Sequence, residues 1–166
     1  MLIVIPIRKT AAACALGLGM MVAAAAQTAM AQGQADAPAP LATGLTDSGS
    51  AEGQVIEAVR SGDILSIKIR FKPIVDGKTE MIYSQISKDD YANSFYVIAG
   101  NKKHLLLKDS NDKPLTNPKL LIRTSKDTPM AGSWQGKFPA PPKEIKEVSL
   151  TIPGVETFDA IKITDR

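Results

Sequence analysis

One histidine and one cysteine, His104 and Cys14, are the chain's whole supply of imidazole and thiol. A general base near neutral pH needs a nucleophile within reach and an acid that orients it. His104 stands in the run Lys102-Lys103-His104, and no Gly-x-Ser-x-Gly elbow occurs anywhere in the chain. Copper carriage calls for clustered thioether and imidazole ligands. Met81, Met130 and His104 are too far apart in sequence to read as such a cluster. Zinc would find one imidazole and, once the N-terminal segment is removed, no thiolate. Asp109, Asn111 and Asp112 group three oxygen donors, but the glycine and terminal glutamate of a calcium loop are missing, and these residue types are default turn formers. Asp89 and Asp90 beside Tyr91, and Glu144 with Glu147, do not read as a glycosidase pair, which needs two carboxylates on either side of one cleft. The inventory therefore names no catalytic, cofactor-binding or metal site, and the expectation is a protein that is not an enzyme. What remains is a local positive patch of Lys102, Lys103, His104 and Lys108. Such a patch suits an acidic glycan, a lipid headgroup or an acidic protein face. It equally suits a solvated strand edge, where lysines discourage edge-to-edge pairing.

The elements that must carry these residues begin after an export signal. Arg8 and Lys9 precede an apolar, alanine-rich stretch from Thr10 to Ala26, and Ala29-Met30-Ala31 supplies the small residues a signal peptidase accommodates. This predicts a helical signal peptide over 1–31, a cut after Ala31, and a bacterial protein that is periplasmic or secreted. The apolar stretch is short for a bilayer span and has no basic residues after it, so no stable membrane insertion is expected once it is cut. Cys14 lies at the start of the apolar stretch, where a lipid-accepting cysteine would lie at its end. Removal of residues 1–31 leaves no cysteine, so disulfides are excluded although the compartment permits them. Arg8 and Lys9 are two of 20 basic residues, so the remainder carries 18 against 17 acids. A case for nucleic acid or anionic membranes resting on overall charge fails.

Residues 32–52 are rich in Ala, Gly, Pro, Ser and Thr and predict a flexible, disordered linker, since so little apolar area cannot offset the entropy of ordering. Residues 53–166 read as one domain of period two. Leu65, Ile67, Ile69 and Phe71 alternate with Ser66, Lys68, Arg70 and Lys72, and Val148, Leu150 and Ile152 alternate with polar neighbours. Further strands are predicted over 55–59, 79–86, 120–122 and 133–138, and at Ile161 and Ile163. Gly100-Asn101 predicts a tight hairpin between 95–99 and 102–107, and Ser61-Gly62-Asp63 and Ser110 to Pro114 predict turns. No helical stripe is read after residue 52. The expectation is all-β: an antiparallel β-sandwich of about 7–9 strands, with Trp134 and Phe138 as the bulky anchors of the core.

The string WQGKFPAPPKEIKEVSLTIPGVETFDAIKI, Trp134 to Ile163, resembles small immunoglobulin-like extracytoplasmic domains of bacterial exported proteins, the kind often found beside outer-membrane-protein-A-type domains. YVIAGNKKHLLLKDSNDKPL, Tyr96 to Leu115, is similar to the same family, with Lys113 standing where its turn carries a glycine. The resemblance implies an immunoglobulin-like sandwich acting as an accessory module and supplies no catalytic residue. Together these readings predict a non-enzymatic exported module for protein–protein contact or envelope support, its partner a protein or glycan of the cell envelope. The alternative is a small-molecule or glycan-binding sandwich, which would gather Tyr83, Tyr91, Tyr96 or Trp134 about one cleft.

Overall fold

A computed structural model describes residues 38–166. The signal peptide, its cut after Ala31 and the first residues of the predicted linker lie outside the described residues. Alternation builds the larger sheet. Strand β3 (Ile64–Pro73) buries Leu65, Ile67, Ile69 and Phe71 and turns Ser66, Lys68, Arg70 and Lys72 outward. It pairs antiparallel with β2 (Ala51–Ser61) through the two-residue turn Gly62-Asp63, where Gly62 takes a φ of 56°. On its other side lies β8 (Gly132–Pro139), with Trp134, Gly136 and Phe138 inward. β1 (Ala42–Leu45) flanks the first half of β2, and β11 (Thr164–Asp165) runs parallel to its second half.

The facing sheet has the order β10 (Phe158–Lys162), β9 (Glu147–Thr151), β5 (Tyr96–Ala99), β6 (Lys102–Leu105), all antiparallel. β4 (Thr79–Tyr83) and β7 (Leu120–Arg123) form a small third sheet. The core lies between the two larger sheets, where Leu65, Ile67, Phe71, Trp134 and Phe138 meet Val97, Leu150, Phe158 and Ile161. Tyr83, Leu120 and Ile122 of the third sheet join the same core. Trp134 is 1 % exposed, and its indole N–H donates to the Tyr83 hydroxyl at 3.1 Å. Among the described residues no helix is long and apolar enough to cross a membrane.

The architecture is the predicted antiparallel β-sandwich, with particulars that alternation did not contain. Among the described residues it has eleven strands, nine in the two sheets of the sandwich and two in the small third sheet. The stretch read as linker is structured from β1 onward. Leu41 N–H donates to the Val55 carbonyl, and the turn after β1 buries Thr46 and Ser50. Backbone pairing with β2 supplies what the apolar content of this stretch does not. A helix, α1 (Lys88–Asn93), is present where none was read. The Ser87 hydroxyl accepts the Asp90 N–H while the Asp90 carboxylate accepts the Ser87 N–H, so a capping box holds this single short turn with no buried residue. In the Asp109–Pro114 turn the left-handed residue is Asp112, at φ 61°, and not Lys113. Aspartate tolerates that conformation better than most side chains. The tight turn at Gly62 also keeps β2 and β3 in one sheet.

A bulge in β2 sets up the most heavily bonded side chain of the fold. Val55 pairs with Ile69 and Glu57 with Lys68, leaving Ile56 as the extra residue, 46 % exposed. Ala51, Gly53 and Val55 face inward before it; Ala58 and Arg60 face inward after it. The phase change turns a guanidinium to the core side of the sheet.

Candidate binding surface

The positive patch read from the sequence does not form one surface. In the β5–β6 hairpin Val97 stands opposite His104 and Ile98 opposite Lys103, so His104 shares the inward face of Val97 while Lys103 points outward. Lys102 is exposed and His104 half-buried, its Nε2 buried without a hydrogen-bond partner. Lys103 Nζ donates to the Ala92 carbonyl at 2.8 Å and lies 4.3 Å from the centre of the Tyr96 ring. Lys108 Nζ pairs with Asp112 at 2.9 Å and lies 4.4 Å from the centre of the Tyr91 ring. Two of the three lysines are thus spent on local structure. The hydroxyl of Tyr91 meanwhile donates to the Leu106 carbonyl at 2.8 Å, so α1 stands beside the end of β6.

The other charged groups with displaced titration are likewise tied into the fold. Burial pushes the Glu80 carboxyl up, but hydrogen bonds from Ser48, Ser50 and Thr46 outweigh this and hold it below the usual range. Ser48 and Ser50 hydroxyls donate to the same Glu80 oxygen at 2.5 and 2.7 Å, fastening the β1–β2 turn to β4. Asp90 is lowered by Ser87 in the capping box, and Asp109 by the backbone N–H groups of Lys113 and Asn111. That reads Asp109, Asn111 and Asp112 as a turn. Arg60, 4 % exposed, donates to Asp165 at 2.5 Å and to the carbonyls of Pro141, Pro142 and Ile145 at 3.0, 2.7 and 3.2 Å. Its hydrogen bond with Asp165 raises the guanidinium pKa against the opposing effect of burial and lowers that of Asp165. Burial pushes the Tyr83 phenol up to about 12. Among the described residues no group of three or more His, Cys, Asp or Glu is placed to hold a metal ion.

The four aromatic rings of the ligand-cleft reading do not gather about one cleft. Tyr83 and Trp134 are in the core, and Tyr83 meets Phe95 edge-on at 5.1 Å. Tyr91 and Tyr96 each lie beneath their own lysine.

The concave surface lies elsewhere, on the solvent face of the larger sheet. A trough of about 480 Å³ is floored by Ser66, Lys68, Gln135 and Lys137 and walled by Pro114, Leu115 and Thr116. The wall is docked on the edge of β8. Lys137 N–H donates to the Leu115 carbonyl at 3.0 Å, Thr116 Oγ1 to the Gln135 carbonyl at 2.6 Å, and Gln135 N–H to Asn117 Oδ1 at 2.9 Å. A second hollow of about 260 Å³ shares Lys68 and Gln135 and extends past Arg70 and Ser133 to Ile56 and Met130. Lys68 is paired with Glu57 at 3.0 Å, whereas Lys137 has no ion-pair partner among the described residues. Hydroxyl and amide groups with one uncommitted cation fit an extended polar ligand bearing an acidic group better than a compact apolar one.

No family model, curated protein or solved structure matches this chain. The trough was missed in sequence because its floor reads only as the polar side of two amphipathic strands. The wall comes from a segment that reads as the end of a turn. Only the pairing of β3 with β8 and the docking of 115–117 bring them together.

Proposed function

We propose that the chain is a non-enzymatic, exported accessory module that works by contact with another component of the cell envelope, through the trough on the outer face of β3 and β8. The observation that carries this reading is the trough itself: a preformed concavity whose wall is held by three hydrogen bonds and whose floor offers the uncommitted Lys137. The extracytoplasmic placement rests on the N-terminal signal, and the likeness of Trp134–Ile163 to accessory domains of exported proteins agrees with it. A photocrosslinking side chain at Ser66 in producing cells is expected to give one discrete adduct that Lys137→Glu abolishes. No adduct, or one indifferent to that charge reversal, would count against the reading. A glycan is the second reading, favoured by the hydroxyl and amide groups of Ser66, Thr116 and Gln135. It predicts that soluble fragments of the envelope polysaccharide suppress the Ser66 adduct.

A further inference from the structure

Two loops at one end of the sandwich hold three of the four most exposed large aliphatic side chains outside the small third sheet, Ile56 being the other. Ile74 is 55 % exposed and Val75 42 % on the β3–β4 loop; Met130 is 52 % exposed on the β7–β8 loop. The loops are neighbours, since Lys72 to Asp76 and Ser125 to Pro129 line one hollow of about 370 Å³. They are also anchored. Ile74 and Val75 N–H groups both donate to the Ser50 carbonyl, Gly77 N–H donates to the Thr124 carbonyl, and Asp76 receives the Lys126 N–H at 2.8 Å. Pro73 and Pro129 stiffen the approach to each tip. The aliphatic tips are therefore held out in water by a rigid base, at the cost that apolar exposure carries.

Charge is gathered around them. Residues 70–80 and 123–131 contain Arg70, Lys72, Lys78, Arg123 and Lys126 against Asp76, Asp127 and Glu80. Glu80 spends its carboxylate on Ser48 and Ser50 and Asp76 pairs with Lys126 at 3.5 Å, which leaves Asp127 against Arg70, Lys72, Lys78 and Arg123. A chain that is nearly neutral after removal of its signal thus carries a local positive excess where its aliphatic side chains protrude. Protruding aliphatics ringed by basic residues are complementary to one chemistry in particular: an anionic bilayer surface, whose acyl boundary takes the tips and whose headgroups pair with the ring.

We infer that this end of the sandwich docks reversibly on anionic membranes, with Ile74, Val75 and Met130 entering the headgroup boundary and Lys72, Arg70 and Lys126 contacting lipid phosphates. The occupant is lipid rather than protein because the tips offer no Trp or Tyr anchor of the kind that dominates protein interfaces. The inference does not rest on the trough, since Lys137 and Ser66 take no part in it, although Arg70 and Met130 also line the hollow beside it.

The test places an indole at the tip by Val75→Trp, in the chain recovered from producing cells. Its emission is followed with vesicles of phosphatidylglycerol carrying brominated acyl chains, then with brominated phosphatidylcholine vesicles. Trp134 is buried in the core and serves as the unquenched internal reference. An Ile98→Trp variant, on the outer face of the other sheet, reports any unoriented adhesion. Quenching is expected for the indole at 75 on the anionic vesicles, with little for that at 98. Partitioning should weaken about fivefold for each basic residue removed by Lys72→Gln or Lys126→Gln. Ile74→Ser should weaken it on the order of tenfold. Equal quenching at 75 and 98, no quenching at 75, or quenching on the zwitterionic vesicles that matches the anionic ones would overturn the inference. So would a lipid-independent burial of the indole at 75 that rises with protein concentration, which would assign this end to a second copy. Because all these positions are exposed, thermal melting of each variant is expected to match the parent.

Discussion

Replacing Arg60 by methionine tests whether the C-terminal strand is held by one side chain. Methionine keeps most of the aliphatic stem that packs beside Ala58 and removes the five donors of the guanidinium. Five acceptors then lose this donor: Asp165, which keeps Lys146 at 3.5 Å, and the carbonyls of Pro141, Pro142, Lys143 and Ile145. Breaking a buried ion pair by removing one partner costs about 3–5 kcal/mol when the other charge stays buried. Here Asp165 is 46 % exposed and the carbonyls border an open hollow, so water recovers part of the loss. The lower end applies, about 3 kcal/mol, which for a domain of this size lowers the melting temperature by about 10 °C. Arg60→Lys retains the charge but cannot span the acceptors, and should recover less than half of this. Asp165→Asn should cost less than Arg60→Met, because the carbonyl contacts survive. The Asp165 carboxyl is held below its unfolded value by Arg60. Its contribution is therefore present above the unfolded value and lost as pH falls through the folded one, so Arg60→Met should flatten the acid limb of the stability profile. Thermal melting by circular dichroism across pH reads all of these. The reasoning fails if Arg60→Met costs under about 1 kcal/mol, the size of one ordinary hydrogen bond, or if Asp165→Asn costs as much as Arg60→Met.

Two further outcomes follow from the remaining polar contacts. Glu80→Gln should destabilise the domain at neutral pH and lose its effect in acid. The folded carboxylate is depressed by Ser48, Ser50 and Thr46, so its stabilisation exists above the unfolded value and disappears as pH drops through the folded one; melting at pH about 7 and about 3, either side of the carboxylate range, is the check. Tyr83→Phe deprives the Trp134 N–H of its acceptor and the Asn117 carbonyl of its donor, at about 1–3 kcal/mol for the orphaned groups. The same variant should remove from a spectrophotometric titration the phenol whose midpoint is near 12.

How much was legible in the sequence depended on whether a signal is carried by near neighbours in the chain. The β3 alternation from Leu65 to Phe71 and the Gly100-Asn101 hairpin are local, and both stand in the structure. Trp134 was readable as a core anchor because an indole of that size has few other places in a small domain. The bulge at Ile56 was not readable. A strand counted straight through places Val55, Glu57 and Val59 on one face, and nothing local to these residues says that the phase changes. Arg60 was missed for that reason: its role follows from the bulge and from acceptors more than eighty residues away. α1 could have been found, since Ser87 followed three residues later by Asp90 is a capping-box spacing, but its single turn carries no apolar stripe. The β1 strand is legible only through its partner, because Thr43 stands between Ala42 and Gly44, which have little strand preference of their own. The lysine cluster misled because adjacency in an edge strand places successive residues on opposite faces.

The handling of strand edges decides what kind of contact this sandwich can make. A sandwich with open edges recruits an extended partner by backbone pairing, and its specificity then rests on alternate side-chain pockets. At β6, α1 stands beside the end of the strand, fastened by the Tyr91 hydroxyl on the Leu106 carbonyl and by the Lys103 side chain on the Ala92 carbonyl. At β8 the outward N–H and carbonyl of Gln135 are taken by Asn117 and Thr116, side chains standing where a neighbouring strand would bond. At β10 a register shift between Phe158 and Ile161, with Ala160 at a φ of 52°, breaks the regular ladder a new strand would copy. β1 is tied to the chain after β9, where Glu156 N–H donates to the Leu45 carbonyl. With the edges so arranged, recognition passes to side chains on a sheet face and at loop tips. There the molecule leaves Lys137 uncommitted and Ile74, Val75 and Met130 in water. A partner reading such surfaces is selected by charge and shape rather than by main-chain hydrogen bonds, so its grip should weaken steeply with salt, as exposed charges do once separated by more than a screening length.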